Sequence, residues 1–234
     1  MRPRSSIQPK HFGLSDTPSR MRQPQRFSRR GLIVGVSSAS KLVGSRQHGS
    51  LLERDLHILL EADPSFESFA LEAHSLIYFA HAEHGNFQRH TYTPDVVART
   101  TSGEIVVLEG KAAALRAKAN WAEKERLIRE AYWYDHGVRF CVLTEFDIRK
   151  EPRLSNCKVI VSRSRGADDP ELALRLGDTI RVRPHTLGQL YRTIPAPKAS
   201  VFATIMALVY RGKIQFDLAQ PLGETSTFSE ALAR

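Results

Sequence analysis

The segment Glu104-Ile105-Val106-Val107-Leu108-Glu109-Gly110-Lys111 constrains this chain more than any other. Read as a strand, it places Ile105, Val107, Glu109 and Lys111 on one face and Val106 and Leu108 on the other. Thr101-Ser102-Gly103 supplies a turn ahead of it, and the extended stretch from about His90 to Arg99 precedes the turn. The result is an antiparallel hairpin that is apolar along its length and acidic at one end, where Asp95 can meet Glu109. Gly110 weakens the strand but permits another element to approach closely.

Further elements follow from the same patterns. Ser50 is a suitable N-cap for a helix running to Glu61, with Leu52, Leu56, Leu59 and Leu60 at helical spacing and Asp63-Pro64 as its stop. Phe66 to Leu71 and Leu76 to Phe79 read as strands, Leu115 to His136 as a long helix stopped by Gly137, and Arg139 to Thr144 as a buried strand. A linker is expected at Gly166-Ala167-Asp168-Asp169-Pro170. Helices near Pro170–Leu176, Leu187–Tyr191 and Ala199–Tyr210 then precede a first wing strand at Gly212–Asp217, the order of a winged helix-turn-helix. The expected fold is α/β, divided into an arm (1–28), a main domain (29–166) and a C-terminal winged-helix-like module for binding partners (167–234).

Charge is distributed unevenly. Residues 1–50 hold ten of the 34 Lys and Arg but only one of the 25 acids, Asp16, so the formal charge of +9 resides in the N-terminal fifth. Pro, Ser and Gln interleave Arg2, Arg4, Lys10, Arg20, Arg22, Arg26, Arg29 and Arg30. Such an arm cannot bury enough apolar surface to order itself, so disorder is expected over about the first 25 residues. It reads as a tether for nucleic-acid phosphates or as a solubilising tail. Arg22, Arg26, Arg29, Arg30 and Lys41 are the candidate nucleic-acid contacts.

The apolar stretch after Arg29-Arg30 is too short for an export signal and reads as a strand over Gly31–Val36. Nothing approaches the ~18 apolar residues of a membrane span. Cys141 and Cys157 lie apart from each other and from any His pattern, which fits a reducing cytoplasmic compartment and not a zinc site.

Three acids and a lysine then stand out in order: Glu53 on the first helix, Asp95 after Pro94, and Glu109 with Lys111 two residues on. Phosphodiester hydrolysis needs a cation to neutralise charge and a water held in line. Carboxylates hold Mg2+, with Mn2+ able to substitute, and the cation keeps several waters of its own. Asp95 and Glu109 are candidate ligands, Glu53 completes the site or binds a second cation, and the Gly110 carbonyl is a further oxygen. Lys111 is aimed at the phosphate or the attacking water. Each residue alone is more often ordinary than catalytic; their joint order and placement favour chemistry.

Residues 30–165 resemble the N-terminal domain of the TnsA family, the endonuclease subunit of heteromeric transposases. The resemblance rests on Ser40-Lys41, Ser50-Leu51-Leu52-Glu53-Arg54-Asp55, Leu76-Ile77-Tyr78, Tyr92-Thr93-Pro94-Asp95, Glu109-Gly110-Lys111, Leu143-Thr144-Glu145-Phe146-Asp147-Ile148-Arg149 and Arg153-Leu154-Ser155-Asn156. Gly49 and Glu72-Ala73 depart from the family pattern without touching the three acids or Lys111. The resemblance implies a restriction-endonuclease-like, PD-(D/E)XK core that cuts the non-transferred strand at the 5' ends of a mobile element. It further implies a TnsB-type DDE transposase and a TnsC-type AAA+ ATPase as partners, with the protein in the bacterial cytoplasm and on the nucleoid when bound to DNA.

Two other functions compete with this one. A stand-alone nuclease of the same fold, for restriction or repair, would lack a neighbouring transposase gene. A silent adaptor bridging DNA and an ATPase would not need Glu53, Asp95, Glu109 and Lys111 intact. His81, His84 and His90 lack ligand spacing and read as a solvated loop. Trp121, Trp133 and Tyr134 read as core and interface anchors.

Overall fold

The chain is seen in a computed structural model that describes residues 3–15, 21, 35–36, 39–44, 47–82, 85–166 and 169–232. It is a mixed α/β protein of two compact units, Met1–His57 with Phe66–Ile148, and Ile58–Ser65 with Arg149–Arg234. The second unit thus draws on Ile58–Ser65 as well as on Arg149–Arg234.

Strands β1 (Ser6–Gln8), β2 (Gly35–Val36), β3 (Leu42–Val43) and β4 (Gln47–His48) open the first unit, followed by helix α1 (Leu51–Ala62), which runs on into the second unit. After it come β5 (Phe66–Leu71), β6 (Ser75–His81), β7 (Phe87–Tyr92), β8 (Val96–Thr100) and β9 (Ile105–Gly110). Helices α2 (Ala113–Arg116) and α3 (Ala119–Glu130) cross to β10 (Arg139–Leu143), and α4 (Glu145–Ile148) ends the unit. The main sheet has the order β10-β9-β8-β5-β3, and a second sheet has the order β1-β6-β7. Strands β5, β8 and β9 pair antiparallel, whereas β10 runs parallel to β9 and β3 parallel to β5.

The core of this unit packs Val97 and Val107 of the main sheet with Leu76, Tyr78 and Tyr92 of the second, under Trp121, Ile128 and Tyr132. The expected hairpin is present, Val96 pairing with Leu108 and Ala98 with Val106, and Gly103 takes φ +85° in its turn.

Four sequence expectations need correction. The extended stretch from His90 to Arg99 is two strands in two different sheets. Pro94 has no N–H to give a ladder, and the chain changes sheet around it. The long helix breaks into α2, α3 and a π-turn at Ala131–Asp135 that buries Tyr132, with Gly137 as the stop at φ +67°.

The disorder expected over the first 25 residues does not extend to 3–15. Ser6–Gln8 pairs antiparallel with β6, and Phe12 packs its ring edge-on to His74 at 5.3 Å. Ile7, Phe12 and Leu14 join the core, which supplies the apolar surface the charge count overlooked. At Gly13 a Cβ would lie 2.0 Å from the Ala73 carbonyl oxygen, so only glycine lets this segment lie down. Fourth, His81 ends β6 and His90 lies inside β7, its ring stacked on Tyr78 at 5.4 Å, so neither is in a loop. Of the expected strand at 31–36 the described part, Gly35–Val36, does pair with β4. His84, Arg22, Arg26, Arg29 and Arg30 lie outside the described residues.

The second unit contains α5 (Arg153–Arg163), α6 (Pro170–Val182), β11 (His185–Thr186), α7 (Leu187–Thr193), α8 (Lys198–Tyr210), β12 (Ile214–Gln215) and β13 (Thr227–Glu230). Its small sheet has the order β11-β13-β12. Local signals set the ends: Asp169 accepts from the Leu172 N–H ahead of α6, and Thr186 with Gln189 forms a reciprocal capping box for α7. Leu176, Ile180, Leu190, Val201, Ile205 and Phe228 fill the core, with Ile160 of α5 among them. The Asn156 amide donates to the carbonyls of Leu218 and Gln220 and pins the loop between β12 and β13. The sequence offered no element over 149–165. Helix α5 packs against α8 and thereby belongs to this unit.

His74 links this packing to pH. It is fully buried, with Nε2 2.7 Å from the Tyr132 hydroxyl. Burial pushes its pKa down to about 4, against a pull upward from the Phe12 backbone. As pH falls through 6.5 the unfolded chain takes up this proton and the folded chain does not. Relative to His74→Gln, the wild type should lose about 3 kcal/mol of stability on acidification across that window and nothing further once the folded histidine is protonated. Urea denaturation at stepped pH measures this, and a difference independent of pH would contradict it.

Candidate active site

Register brings the candidate residues together. Since Val96 pairs with Leu108, Asp95 just before β8 and Glu109 at the end of β9 become neighbours. The Asp95 N–H donates to Glu109 Oε2 at 3.3 Å, and the Gly110 N–H donates back to Asp95 Oδ2 at 2.9 Å. The Tyr92 hydroxyl donates to the same Oε2 at 2.6 Å. Lys111 Nζ lies 3.8 Å from Glu109 Oε1, and its N–H donates to the Leu143 carbonyl, extending the β9–β10 ladder.

The shared face read from the alternation of β9 is present: Val107 enters the core beside Trp121, and Lys111 places its ammonium 4.0 Å from the centre of the Trp121 ring.

Glu109 is only 6% exposed. A carboxylate taken out of water is costly unless hydrogen bonds replace its hydration. Here two donors and an ammonium do so. Burial first, and then the neighbouring Glu109 charge and hydrogen bond, push the Tyr92 hydroxyl well above the ordinary tyrosine range, which keeps it a donor.

Glu53 is placed differently. It lies in the first turn of α1, where its carboxylate accepts from the Gly49 N–H at 2.8 Å and from the Ser50 hydroxyl at 3.0 Å. Its own N–H donates to Ser50 Oγ, so Glu53 caps its helix in the manner of a capping box. Among the described residues, no group of three His, Cys, Asp or Glu converges as a metal-binding set. Asp95 and Glu109 are joined by hydrogen bonds, and the Glu53 carboxylate bonds to the start of its own helix. Helix α1 instead approaches β9 through Leu56, 3.8 Å from where a Cβ on Gly110 would be. That Cβ would make ordinary contacts throughout, so close approach does not by itself demand glycine at 110. Lys41 sits at the start of the edge strand β3, its carbonyl accepting from the Phe69 N–H.

The Leu143–Arg149 segment supports the site. Asp147 Oδ2 accepts from the N–H and hydroxyl of Thr144, both at 2.8 Å. Glu145 Oε2 accepts from the Ala113 N–H at 2.7 Å, tying α4 to the chain that leaves Lys111. Ile148 is fully buried and would stand 3.9 Å from a Cβ on Gly110.

Trp121 is held in turn: its Nε1–H donates to Glu125 Oε2 at 3.1 Å, and Arg116 and Arg129 clamp Glu125. Burial raises the Glu125 pKa, but the hydrogen bonds and charges of Arg116 and Arg129 outweigh it and hold the group below the usual range.

Sequence reasoning gave Tyr92, Trp121 and Lys124 no part in the site. Tyr92 was available within the Tyr-Thr-Pro-Asp motif, and Lys124 sits one helical turn after Trp121. Trp121 is buried as expected, whereas Trp133 and Tyr134 are exposed. The chain matches no protein-family model, and none of the curated proteins matches it.

Asp95 and Glu109 offer the hard oxygen donors that Mg2+ or Mn2+ selects, few enough to leave room for the waters such a cation retains. The donor set fits. Tyr92→Phe would take from Glu109 the donor at 2.6 Å with little change of volume. Urea unfolding should show a loss of about 1–3 kcal/mol. No loss would mean that the hydroxyl does not hold Glu109.

Proposed function

We propose that this chain is a metal-dependent DNA endonuclease of the TnsA type, cutting the non-transferred strand at the 5' ends of a transposon. The carrying observation is the Asp95–Glu109–Lys111 group, with each carboxylate bound to a backbone N–H next to the other and the lysine at 3.8 Å. A mixed sheet with an acid pair at the ends of a central hairpin, followed by a parallel strand, supports a restriction-endonuclease-like core. Resemblance over residues 30–165 narrows the nuclease to the transposon-end class.

Asp95 and Glu109 would hold the cation, with the Gly110 carbonyl as the proposed third oxygen. When bound, the cation neutralises phosphate charge and makes its water more acidic. Tyr92 and the Asp95 N–H orient the Glu109 carboxylate. Lys111 places a positive charge where the attacked phosphate gathers negative charge, while Trp121 limits where its ammonium can go. Glu53 shapes the start of α1 in this scheme and is not needed as a ligand.

In the second unit, the order α6, β11, α7, α8, β12, β13 with the sheet order β11-β13-β12 supports a winged helix. Helix α8 holds the place of a groove-reading helix, yet Val201 and Thr204 to Val209 are buried and α5 packs on it. Docking to TnsB-type or TnsC-type partners suits that better than base readout, and sequence choice would pass to the DDE transposase. No helix among the described residues is long and apolar enough to cross a membrane.

Asp95→Ala, assayed on transposon ends with its partner transposase and ATPase, should abolish 5' cleavage. 3' joining should persist and cointegrate products accumulate. Cleavage by this variant at the wild-type rate would overturn the assignment. Glu53→Gln should retain far more activity than Asp95→Ala, and equal loss would restore Glu53 to the ligand set.

A further inference from the structure

The hairpin of β6 and β7 presents a face that the acid pair does not use. Its register sets Leu76 opposite Tyr92, Tyr78 opposite His90, Phe79 opposite Arg89 and His81 opposite Phe87. Opposed residues share a face, so Leu76, Tyr78 and Tyr92 turn into the core while Phe79, His81, Phe87, Arg89 and Thr91 turn away from it. Of the latter, His81, Arg89 and Thr91 are exposed, and Phe79 and Phe87 are partly exposed. The rings of His81 and Phe87 lean together with their centres 4.5 Å apart.

Solvated surfaces intersperse both signs of charge. Strands β1, β6 and β7 carry no Asp or Glu, and their one arginine, Arg89, stands across from Phe79. Rings beside a guanidinium suit a single nucleic-acid strand, whose bases stack on the rings while a phosphate meets the cation. A duplex keeps its base faces inside its own stack, whereas an unpaired strand offers them. Strand β7 also runs on to Tyr92, which bonds to Glu109. Phe87 and Tyr92 are the two ends of that strand, an extended reach of about 17 Å, so one strand bound at the acid pair can cover this face as well.

We propose that the outer face of the β6–β7 hairpin binds unpaired DNA, with Phe87 and His81 stacking on a base and Arg89 holding a neighbouring phosphate. The inference rests on the nuclease reading and adds to it a surface that grips a locally opened strand beside the cut.

Anisotropy of the full chain with a fluorescein-labelled single strand, its duplex and an abasic strand of equal length, across a NaCl series without divalent cation, tests it. Phe87→Leu should weaken binding to the single strand roughly five-fold or more and leave binding to the abasic strand unchanged. Phe87→Trp should keep the wild-type affinity. Arg89→Ala should lower the slope of log affinity against log salt by about 0.7, the value for one phosphate contact on a single strand, and Arg89→Lys should restore it. Arg89 is exposed, so the slope reads this surface even where Phe87→Leu lowers the melting temperature.

Wild-type binding of the single strand by both Phe87→Leu and Arg89→Ala, or a Phe87→Leu loss equal on the abasic strand or confined to the duplex, overturns the inference and leaves the nuclease reading intact. A change in sedimentation mass of the DNA-free chain on Phe87→Leu would make the face a contact between copies and overturn it too. Failure of the wild-type chain to bind either single-stranded or duplex DNA overturns the nuclease reading, and this inference with it.

Discussion

The buried carboxylate of Glu109 is the point on which the first unit depends. Two sheets meet where the chain passes from β7 to β8, and Glu109 accepts from both sides of that passage, from Tyr92 in one sheet and from the Asp95 N–H at the head of the other. Without those donors a carboxylate at this depth would be costly, and with them it fixes the crossing. The same bonds keep Asp95 beside Glu109 and hold the strand end from which Lys111 projects. Architecture and candidate chemistry therefore share one set of hydrogen bonds.

Around that point lie supports with no chemistry of their own. Glu125 and its two arginines hold Trp121, which restrains Lys111. The Thr144–Asp147 and Glu145–Ala113 bonds fix the chain beyond β9 and β10. An ammonium on a flexible stem is held to a narrower range of positions by such a surround. In the second unit a covered α8 and a pinned loop between β12 and β13 describe a small, well-packed body.

Much of the site was legible in the sequence. Ser50 and the leucine spacing mark α1, the Thr-Ser-Gly turn marks the hairpin, and strand alternation puts Glu109 and Lys111 on one face. Those features are local, set by caps, turns and periods of two or 3.6 residues. The order of helices and strands after Pro170 is legible for the same reason. Less accessible were α5, which bears no strong cap, and the N-terminal strand, whose three residues are stabilised by an edge of β6 distant in sequence. The change of sheet at Pro94 was hidden because both flanking stretches are extended.

Sequence alone determined which chemical groups exist and which neighbours along the chain they keep: an acid after Pro94, an acid and a lysine at the end of one strand, a glutamate in the first turn of a helix. Tertiary structure decided which of them meet. It joined Asp95 to Glu109 through cross-strand register, turned Glu53 back onto its own helix start, brought Tyr92 to the pair and set Trp121 against Lys111. The reason is physical: periodicity assigns a side chain to a face, but hydrogen bonds and ring contacts between residues distant in sequence arise only when the core closes and water leaves.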